Sequence, residues 1–570
     1  MMGGRAFMLL RRMRLPLIIL ISSYAISILG FVIIPGKDDL GNVWQMDFFH
    51  AFYFVSFMGS TIGFGEIPYP FTDAQRLWTT FALYSTVICW LYAIGSLLSI
   101  MQSRAFKQVV SHASFNHSVN RLNEPFYIVC GYGDVSLYLL NALHNQGIRV
   151  VVIDNNQESI DNLEVADLSF DVPALCADAA NSESLIAAGL TKNNCKGVLA
   201  LTDQDEVNLM VAIAAKLIAP DIFIISRAEN QDSEANMASF GTDYIVNPYT
   251  SFADRLSMAI QSPKLFLLTE WLTDDKYRAN ETGLAPPKGR WIICGYGRFG
   301  KCFEKYLSYV GCETTIIEAE PEKTNAPSNA IVGRGTEAVT LREAGIEQVV
   351  GIIAGTDNDP NNLSIIMTAQ ELNSDLFCVI RQNRGYNQTV FSSAKCHWVM
   401  QPGRIVARKV LSRINMPLLF SFLHVSRREN EEWTVLLVEK IAAMLGENLP
   451  HCWSQSLNQA KSPAFAALLT QHTISLATIM KDPSQQIRNL LCVPLLLKRE
   501  DQIILLPEEN TELKLDDALL FCGHESSEIL MTEILDDIYL LNYLITGQDQ
   551  PRGSLLRRLK GLPPMPKISL

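Results

Sequence analysis

One short stretch of the chain combines residue types that suit the coordination of a cation. Residues 61–66 bring together a hydroxyl, two glycines and a carboxylate, and they follow an aromatic-rich segment too short to cross a bilayer. Glycine adopts backbone angles closed to other residues, so Gly63 and Gly65 allow successive carbonyl groups to point toward one axis. Four such strands would form rings of carbonyl oxygens that replace the hydration shell of a cation. The predicted filter residues are Thr61, Ile62, Gly63, Phe64 and Gly65.

Two glycine-rich turns further along the chain suit the binding of a nucleotide. Each follows a short strand of branched apolar residues, and each is followed at the same spacing by a carboxylate, Asp154 or Glu318. Such a turn lets a helix N-terminus approach a pyrophosphate, and the carboxylate accepts hydrogen bonds from ribose hydroxyls. A carboxylate at this position disfavours a 2′-phosphate, which favours NAD or an ADP/AMP-type nucleotide over NADP.

We expect the second turn to be the better site. Gly300 completes its fingerprint, whereas Ser136 replaces the third glycine of the first turn and crowds the contact between helix and strand. Asp178 occupies in the first copy the position that Arg334 holds in the second. The predicted ligand-binding residues are Gly295, Gly297, Arg298, Phe299, Gly300, Glu318 and Arg334 in the second copy, and Gly131, Gly133, Asp154 and Asp178 in the first.

The predicted filter lies between two segments that are long and apolar enough to cross a bilayer. They run from about residue 15 to 34 and from about 77 to 101, and neither contains a charged residue. A signal peptide is the alternative for the first segment, because four arginines precede it, but its end has no small-residue cleavage site. Basic residues flank the pair on its outer sides, which predicts that both termini are cytoplasmic. Leu97, in the second segment, is a candidate for a hydrophobic gate, although it could equally face lipid.

The two glycine-rich turns belong to an internal duplication. Thr202 corresponds to Thr356, Arg227 to Arg381, and the pair at 247–248 to the pair at 401–402. Each copy alternates apolar strands with helical stretches, which is typical of a parallel sheet covered on both faces. The predicted fold is therefore a membrane α-helical pore domain, with two transmembrane helices and a re-entrant pore helix, followed by tandem α/β Rossmann-like domains and a C-terminal α+β subdomain.

The domain boundaries follow from these elements. They give a pore domain at 1–101 with a pore helix at about 46–59 and a filter at 61–66, a linker at 102–124, Rossmann-like repeats at 125–287 and 288–430, a C-terminal subdomain at 431–525, and a helix with a basic tail at 526–570.

The net charge of −12 argues against nucleic acid as a partner, because phosphate binding needs a basic surface. The 12 cysteines form no paired motif, which fits reduced cytosolic thiols rather than disulfides or a zinc site.

Both parts of the chain resemble a known family. Residues 61–66 resemble the potassium-channel signature Thr-Val-Gly-Tyr-Gly-Asp, with Ile62, Phe64 and Glu66 as mild replacements. The repeats resemble the RCK domains (also called KTN or TrkA-N), and the chain looks like the prokaryotic tandem-RCK potassium channels. That resemblance implies a homotetramer in the inner (plasma) membrane, in contact with lipid, with K+ as the permeant ion. It also implies a gating ring of eight RCK domains that responds to NAD, adenine nucleotides or calcium.

A calcium site is implied by the same resemblance. In the calcium-gated members, acids near the fourth and fifth strands bind the ion, which here indicates Asp203, Asp205 and Glu229. Arg227 lies beside these acids, and calcium tolerates a neighbouring cation poorly, so a solvated acidic surface is the alternative.

Two other functions share part of these features. A membrane-anchored NAD-dependent oxidoreductase would use the Rossmann-like repeats, but it has no use for the filter residues. A regulatory subunit of a potassium transporter would need no pore of its own. We therefore expect a ligand-gated channel without enzymatic activity, in which nucleotide either opens or closes the pore.

Overall fold

The computed structural model describes residues 2–63, 65–166, 171–273, 285–446, 448–485, 488–549 and 551. These form two compact units, one of residues 1–123 with 173–175, and one of the remaining chain. Phe64 of the predicted filter and the predicted basic tail from residue 552 onward lie outside the described residues.

The pore unit consists of four helices and a two-stranded hairpin. Helices α1 and α3 pack against each other, and residues Met13–Ile33 and Asp73–Gln102 are long and apolar enough to span a membrane. The predicted linker at 102–124 is largely helical, because Ser103 caps a new helix through its Oγ, which accepts from the backbone N–H of Phe106 at 3.3 Å. The elements are α1 (Met2–Ile33), β1 (Gly36–Lys37), β2 (Val43–Trp44), α2 (Phe48–Gly59), α3 (Asp73–Gln102) and α4 (Arg104–Arg121).

The short helix α2 is held between the two long helices by an aromatic core. Asp47 caps its first turn by accepting from the backbone N–H of His50 at 2.8 Å. Phe54 of α2 packs edge-on against Phe31 of α1, with ring centroids 4.9 Å apart, and Phe71 completes the cluster. The aromatic residues of the predicted pore helix therefore serve to anchor it, which fixes the direction of the chain as it enters residues 61–66.

The first Rossmann-like repeat is a six-stranded sheet in the order β5-β4-β3-β6-β7-β8, and its registered pairs are parallel. This order reverses beside β3, and ligands bind such sheets at the carboxyl ends of the strands near that point. The elements are β3 (Phe126–Cys130), α5 (Asp134–Asn145), β4 (Arg149–Asp154), α6 (Gln157–Val165), β5 (Ala174–Cys176), α7 (Ser182–Ala187), β6 (Cys195–Ala200), α8 (Asp205–Ile218), β7 (Phe223–Arg227), α9 (Gln231–Ser239), β8 (Tyr244–Val246), α10 (Pro248–Gln261) and α11 (Pro263–Thr273).

The second repeat has the equivalent six-stranded order, β11-β10-β9-β12-β13-β14, again with parallel pairs. Its elements are β9 (Arg290–Cys294), α12 (Arg298–Tyr309), β10 (Glu313–Glu318), α13 (Pro321–Thr324), β11 (Ile331–Val332), α14 (Ala338–Glu343), β12 (Gly351–Ala354), α15 (Asp359–Leu372), β13 (Phe377–Arg381), α16 (Gln388–Ser393), β14 (Trp398–Met400), α17 (Pro402–Asn415) and α18 (Pro417–Ser426), with 3-10 turns at Ile346–Gln348 and Gly385–Asn387. Two such sheets in one chain confirm the predicted tandem Rossmann-like fold.

The two repeats exchange helices. The helix that leaves each sheet packs against the helix that follows the glycine-rich turn of the other repeat, so that α10 contacts α12 and α17 contacts α5. This reciprocal pairing brings residues of the second repeat to the glycine-rich turn of the first, and the reverse.

The C-terminal subdomain adds a mixed layer to the same unit. Its four-stranded antiparallel sheet has the order β15-β18-β16-β17, and helices cover a core around Trp453, Phe465 and Phe521. The elements are α19 (Glu431–Leu445), β15 (His451–Ser456), α20 (Pro463–Leu468), α21 (Leu476–Ile479), β16 (Cys492–Arg499), β17 (Gln502–Leu505), β18 (Ala518–Gly523), α22 (Glu525–Asp536) and α23 (Ile538–Thr546).

Candidate functional site

The predicted filter follows α2 directly. The backbone N–H of Ile62 donates to the carbonyl of Phe57 at 3.0 Å, which ties the start of the segment to the end of the helix. Gly63 and Gly65 have φ angles of +66° and +99°, and Thr61 has +63°. Positive φ is readily adopted by glycine and rarely by other residues, so the two glycines are required by the path of the chain here.

Glu66, the residue after the filter, is held by hydrogen bonds from residues that follow it in the chain. The carboxylate of Glu66 accepts from Arg76 Nε at 2.9 Å and from the backbone N–H of Phe71 at 2.7 Å. The hydrogen bond from Arg76 is the main reason that the pKa of Glu66 is lowered from its usual value. The longer side chain of Glu66, in place of aspartate, is therefore used to reach the first turn of α3.

The candidate gate residue lies where the sequence placed it along the second span. Leu97 belongs to α3, and its side chain is exposed in the isolated pore unit. Exposure of this kind suits lipid, a second subunit or an ion pathway equally, so the gate stays a prediction.

The carboxylates after the glycine-rich turns bind backbone groups of those turns. Asp154 accepts from the N–H of Tyr132 at 2.5 Å, and Glu318 accepts from the N–H of Tyr296 at 2.5 Å. The two differ in accessibility, because Glu318 is only 8% exposed whereas Asp154 is half-buried at the edge of a cleft. Each carboxylate thus fixes the turn, and Asp154 is the more open of the two toward a ligand.

The first repeat carries an open cleft of about 490 Å³, within the size range of small-molecule sites. We name it the inter-repeat cleft, because both repeats line it. The first repeat contributes Gly131, Gly133, Asp134, Asp154, Asp178, Asp203, Arg227, Glu229 and Tyr249 among others, and the second contributes Arg381, Asn383, Arg384, Pro402 and Gly403.

The predicted ligand contacts of the second repeat are largely engaged in protein contacts. Arg298 pairs with Glu229 of the first repeat, with Nη2 2.8 Å from Oε2. Phe299 is 1% exposed and packs against Phe303 and Tyr249, so it belongs to the core. Arg334 is exposed at the end of β11. The expectation that the second turn is the better site stays a prediction, and Tyr249 and Glu229 of the other repeat contact Phe299 and Arg298 in its first helical turn.

One aligned position, Tyr249 in the first repeat and Gly403 in the second, accounts for much of the difference between the two glycine-rich turns. Tyr249 and Gly403 each follow the proline that begins the exchanged helix. The Tyr249 ring lies 6.0 Å from that of Phe299, against the first turn of α12. A Cβ on Gly403 would lie 3.2 Å from the backbone nitrogen of Val135, in the first turn of α5. Glycine therefore leaves open at the first repeat the space that tyrosine fills at the second.

The serine that interrupts the first fingerprint is accommodated. Ser136 is buried, and its hydroxyl donates to the carbonyl of Gly131 at 2.5 Å. At the second turn a Cβ on Gly300 would lie 2.0 Å from the carbonyl oxygen of Gly295, where no side chain fits. The first turn thus holds the Cβ of Ser136, and the serine hydroxyl hydrogen-bonds to the carbonyl of that turn.

The acids predicted to bind calcium are not assembled as a metal site. Asp205 accepts from the backbone N–H groups of Glu229 at 3.0 Å and Asn230 at 2.9 Å, and Glu229 pairs with two arginines. Asp203 is exposed in the cleft. Among the described residues, no group of three histidine, cysteine or acidic side chains is arranged to hold a metal ion. Calcium binding therefore stays a prediction that this arrangement does not support, because two of its three carboxylates already have partners.

Sequence reasoning missed the cross-repeat residues, namely Tyr249, Arg381, Arg384 and Gly403. A signal was present in the duplication, since aligned positions carry Tyr249 against Gly403 and Glu229 against Asn383. What the sequence did not reveal is that each repeat supplies these residues to the site of the other.

Comparison with known families agrees with this architecture. Residues 17–103 match the ion channel family model, and residues 127–248 and 291–402 each match the TrkA-N domain. The chain is therefore a membrane protein that joins an ion-channel pore region to two TrkA-N domains.

The chain is homologous to potassium channels with RCK domains. It is 26% identical over 210 residues to potassium channel protein 1 of Methanocaldococcus jannaschii, covering 37% of this chain and 61% of that protein. It is 25% identical over 216 residues to the voltage-gated potassium channel Kch of Escherichia coli, covering 38% and 50% of the two chains. The matches thus span about half the length of these relatives. A solved structure of the GsuK channel bound to NAD is 15% identical, with a TM-score of 0.43, and covers 93% of this chain and 99% of that one.

Proposed function

We propose that this chain is one subunit of a homotetrameric potassium-selective channel, gated from the cytoplasm by nucleotide bound to its TrkA-N domains. The observation that carries the pore assignment is the segment 61–65, which enters from an anchored half-helix and has glycines in the left-handed region between two membrane spans. Four subunits would surround the axis, with filter carbonyls replacing the hydration shell of K+.

The proposal includes the location of the chain. Four arginines precede the first span, and acidic residues predominate between the spans, which favours cytoplasmic termini in the plasma membrane. Exposed apolar side chains on α1 and α3 would face lipid or neighbouring subunits. Four chains would bring eight TrkA-N domains into one cytoplasmic ring, and no enzymatic activity is required of them.

The proposed ligand is NAD or an ADP/AMP-type nucleotide, and we assign the stronger site to the first repeat. Asp154 lies at the edge of the inter-repeat cleft, where it can accept ribose hydroxyls, and the first turn of α5 lines the same cleft. A nucleotide gates the pore only through a difference in its affinity for open and closed states.

Ion flux through purified protein in liposomes tests the proposal. We expect K+ flux to exceed Na+ flux and to change when NAD or ADP is added on the cytoplasmic side. Gly65→Ala should abolish selective flux, because φ of +99° disfavours a side chain. Gly41→Ala is the matched control, since Gly41 has φ of +85° in an exposed turn outside the filter. Absence of K+ flux in every condition would refute the channel, and flux indifferent to nucleotide would refute the regulation.

A further inference from the structure

The arginine side chains around the inter-repeat cleft outnumber the carboxylates with which they pair. Arg227 pairs with Glu229, and Arg298 pairs with the same carboxylate at 2.8 Å. Arg381 donates to the hydroxyl of Tyr249 at 3.2 Å, and that hydroxyl in turn donates to Glu229 at 3.1 Å. The Arg381 guanidinium also lies over the rings of Tyr249 and Phe299, at 5.2 and 5.7 Å from their centroids. Two of these cations thus share one buried carboxylate, and the third is connected to it only through the hydroxyl of Tyr249.

The duplication shows why Arg381 lacks a carboxylate of its own. Arg227 and Arg381 occupy aligned positions at the ends of β7 and β13. Two residues later the first repeat has Glu229, and the second has the neutral Asn383. Among the described residues Arg381 makes no ion pair, and its Nε is buried without a hydrogen-bond partner. A half-buried cation without a counter-ion is costly, which favours an external anion at this place.

A second arginine of the same repeat lines the cleft. Arg384 is exposed, its backbone N–H is held by Asp359 at 3.1 Å, and its side chain forms no ion pair within the described part of the chain. The next residue, Gly385, lies against α5, since a Cβ there would be 3.4 Å from the hydroxyl of Tyr138. Arg384 is therefore anchored by its backbone beside the helix that follows the first glycine-rich turn.

The opposite side of the cleft suits the sugar of a nucleotide rather than its phosphates. Asp154 and Asp178 lie there, whereas Asp134, in the first turn of α5, lies beside Gly385, since a Cβ on Gly385 would be 3.9 Å from its Oδ1. Asp134 and Asp178 stand where the second repeat has Arg298 and Arg334. The first repeat therefore has no arginine of its own at those two positions. Positive charge for a phosphate comes from Arg381 and Arg384, which belong to the second repeat.

We propose that the inter-repeat cleft binds a phosphate-bearing nucleotide across the two repeats, with ribose on Asp154 and phosphate on Arg381 and Arg384. This assignment rests on the proposed nucleotide regulation and names the residues that would transmit it. The bound nucleotide links the two repeats, so its affinity depends on their relative orientation. Arginine suits this task because its planar group binds phosphate oxygens through two hydrogen bonds.

Nucleotide binding to the full-length protein in lipid nanodiscs, measured by calorimetry with ADP, NAD and inorganic phosphate, tests the proposal. Arg384→Ala should weaken ADP binding at least tenfold, and Arg384→Lys should weaken it less. Arg342→Ala, at an exposed arginine of α14 away from the cleft, should change it less than twofold. Because Arg384 is exposed and its described contacts are through its backbone, thermal unfolding should be unchanged in its variants.

The outcomes separate this proposal from the broader one. Wild-type binding of ADP that is unaffected by Arg384→Ala would overturn the cross-repeat site and leave nucleotide regulation standing. Absence of any nucleotide binding by the wild-type protein would overturn both. Inorganic phosphate that binds as tightly as ADP would overturn the assignment of a nucleotide as the ligand.

Discussion

The two Rossmann-like repeats have the same strand order and the same glycine-rich turn, yet they receive different side chains from each other. The first repeat gives Tyr249 and Glu229 to the second, where both lie at the first turn of α12. The second gives Gly403 and Arg384 to the first, where they line a cleft. The repeat with the complete glycine fingerprint is thus the more filled, and the repeat with the imperfect one is the more open.

The glycine fingerprint of a repeat therefore describes only one side of its binding site. When two repeats pair reciprocally, the other side is formed by the second repeat, and the residues there decide whether space for a ligand remains. Gene duplication within one chain lets the two sides diverge, since each repeat can change what it presents without changing its own turn.

The largest effect is expected from Tyr249→Ala. The ring is 3% exposed, and it contacts Phe299 and the guanidinium of Arg381. Truncating a buried aromatic residue costs about 3–5 kcal/mol, so the unit that contains the two repeats should unfold at a clearly lower temperature. Tyr309→Ala, at a tyrosine of α12 that is 79% exposed, is the control and should leave the unfolding temperature nearly unchanged. Equal effects of the two variants would show that Tyr249 does not distinguish the repeats.

Gly403→Tyr should have the next largest effect, on ligand binding rather than on folding. This substitution puts a tyrosine at the cleft of the first repeat, as Tyr249 is at the glycine-rich turn of the second repeat. Since even a Cβ would lie 3.2 Å from the nitrogen of Val135, the ring must enter the cleft or displace α5. We expect ADP affinity to fall about 100-fold, which corresponds to about 2.7 kcal/mol. Unchanged affinity in a folded variant would place the nucleotide elsewhere.

The outcome for sequence-based prediction follows the same division. The filter segment, the spans and the parallel sheets depend on local periodicity and on glycine positions, and the predicted fold class is confirmed. The proposed choice between the two nucleotide sites depends on Tyr249, which contacts Phe299 about 50 residues away in the chain, and on Gly403, which approaches Val135 about 270 residues away. The calcium prediction lacks support for a related reason, because the partners of Glu229 include Arg298 of the other repeat.

Glu229→Gln should destabilise the pairing of the repeats by about 2 kcal/mol, because hydrogen bonds to a charged group are replaced by weaker ones. Burial alone would raise the pKa of Glu229, but Arg227 and Arg298 outweigh it, and the pKa is lowered. A lowered pKa in the folded state stabilises the protein above the unfolded value of about 4.3, and this contribution is lost as the pH falls through the folded value.

The measurement is thermal unfolding of wild type and Glu229→Gln as a function of pH. The gap between them should be constant above about pH 5 and should narrow below the unfolded pKa of about 4.3. Glu206→Gln, at an exposed glutamate of α8, serves as the control and should show little gap at any pH. A gap that widens on acidification would contradict the ion-pair assignment.

The smallest expected effect concerns the imperfect fingerprint. Ser136→Ala keeps the Cβ and removes the hydroxyl that donates to the carbonyl of Gly131, so it should cost about 1 kcal/mol. Gly300→Ala at the other turn should cost more, because its Cβ would lie 2.0 Å from the oxygen of Gly295 and the helix would have to shift. Comparing the two by thermal unfolding measures how far the first turn has adapted to a side chain. A loss from Gly300→Ala no larger than that from Ser136→Ala would contradict the close approach of helix and turn in the second repeat.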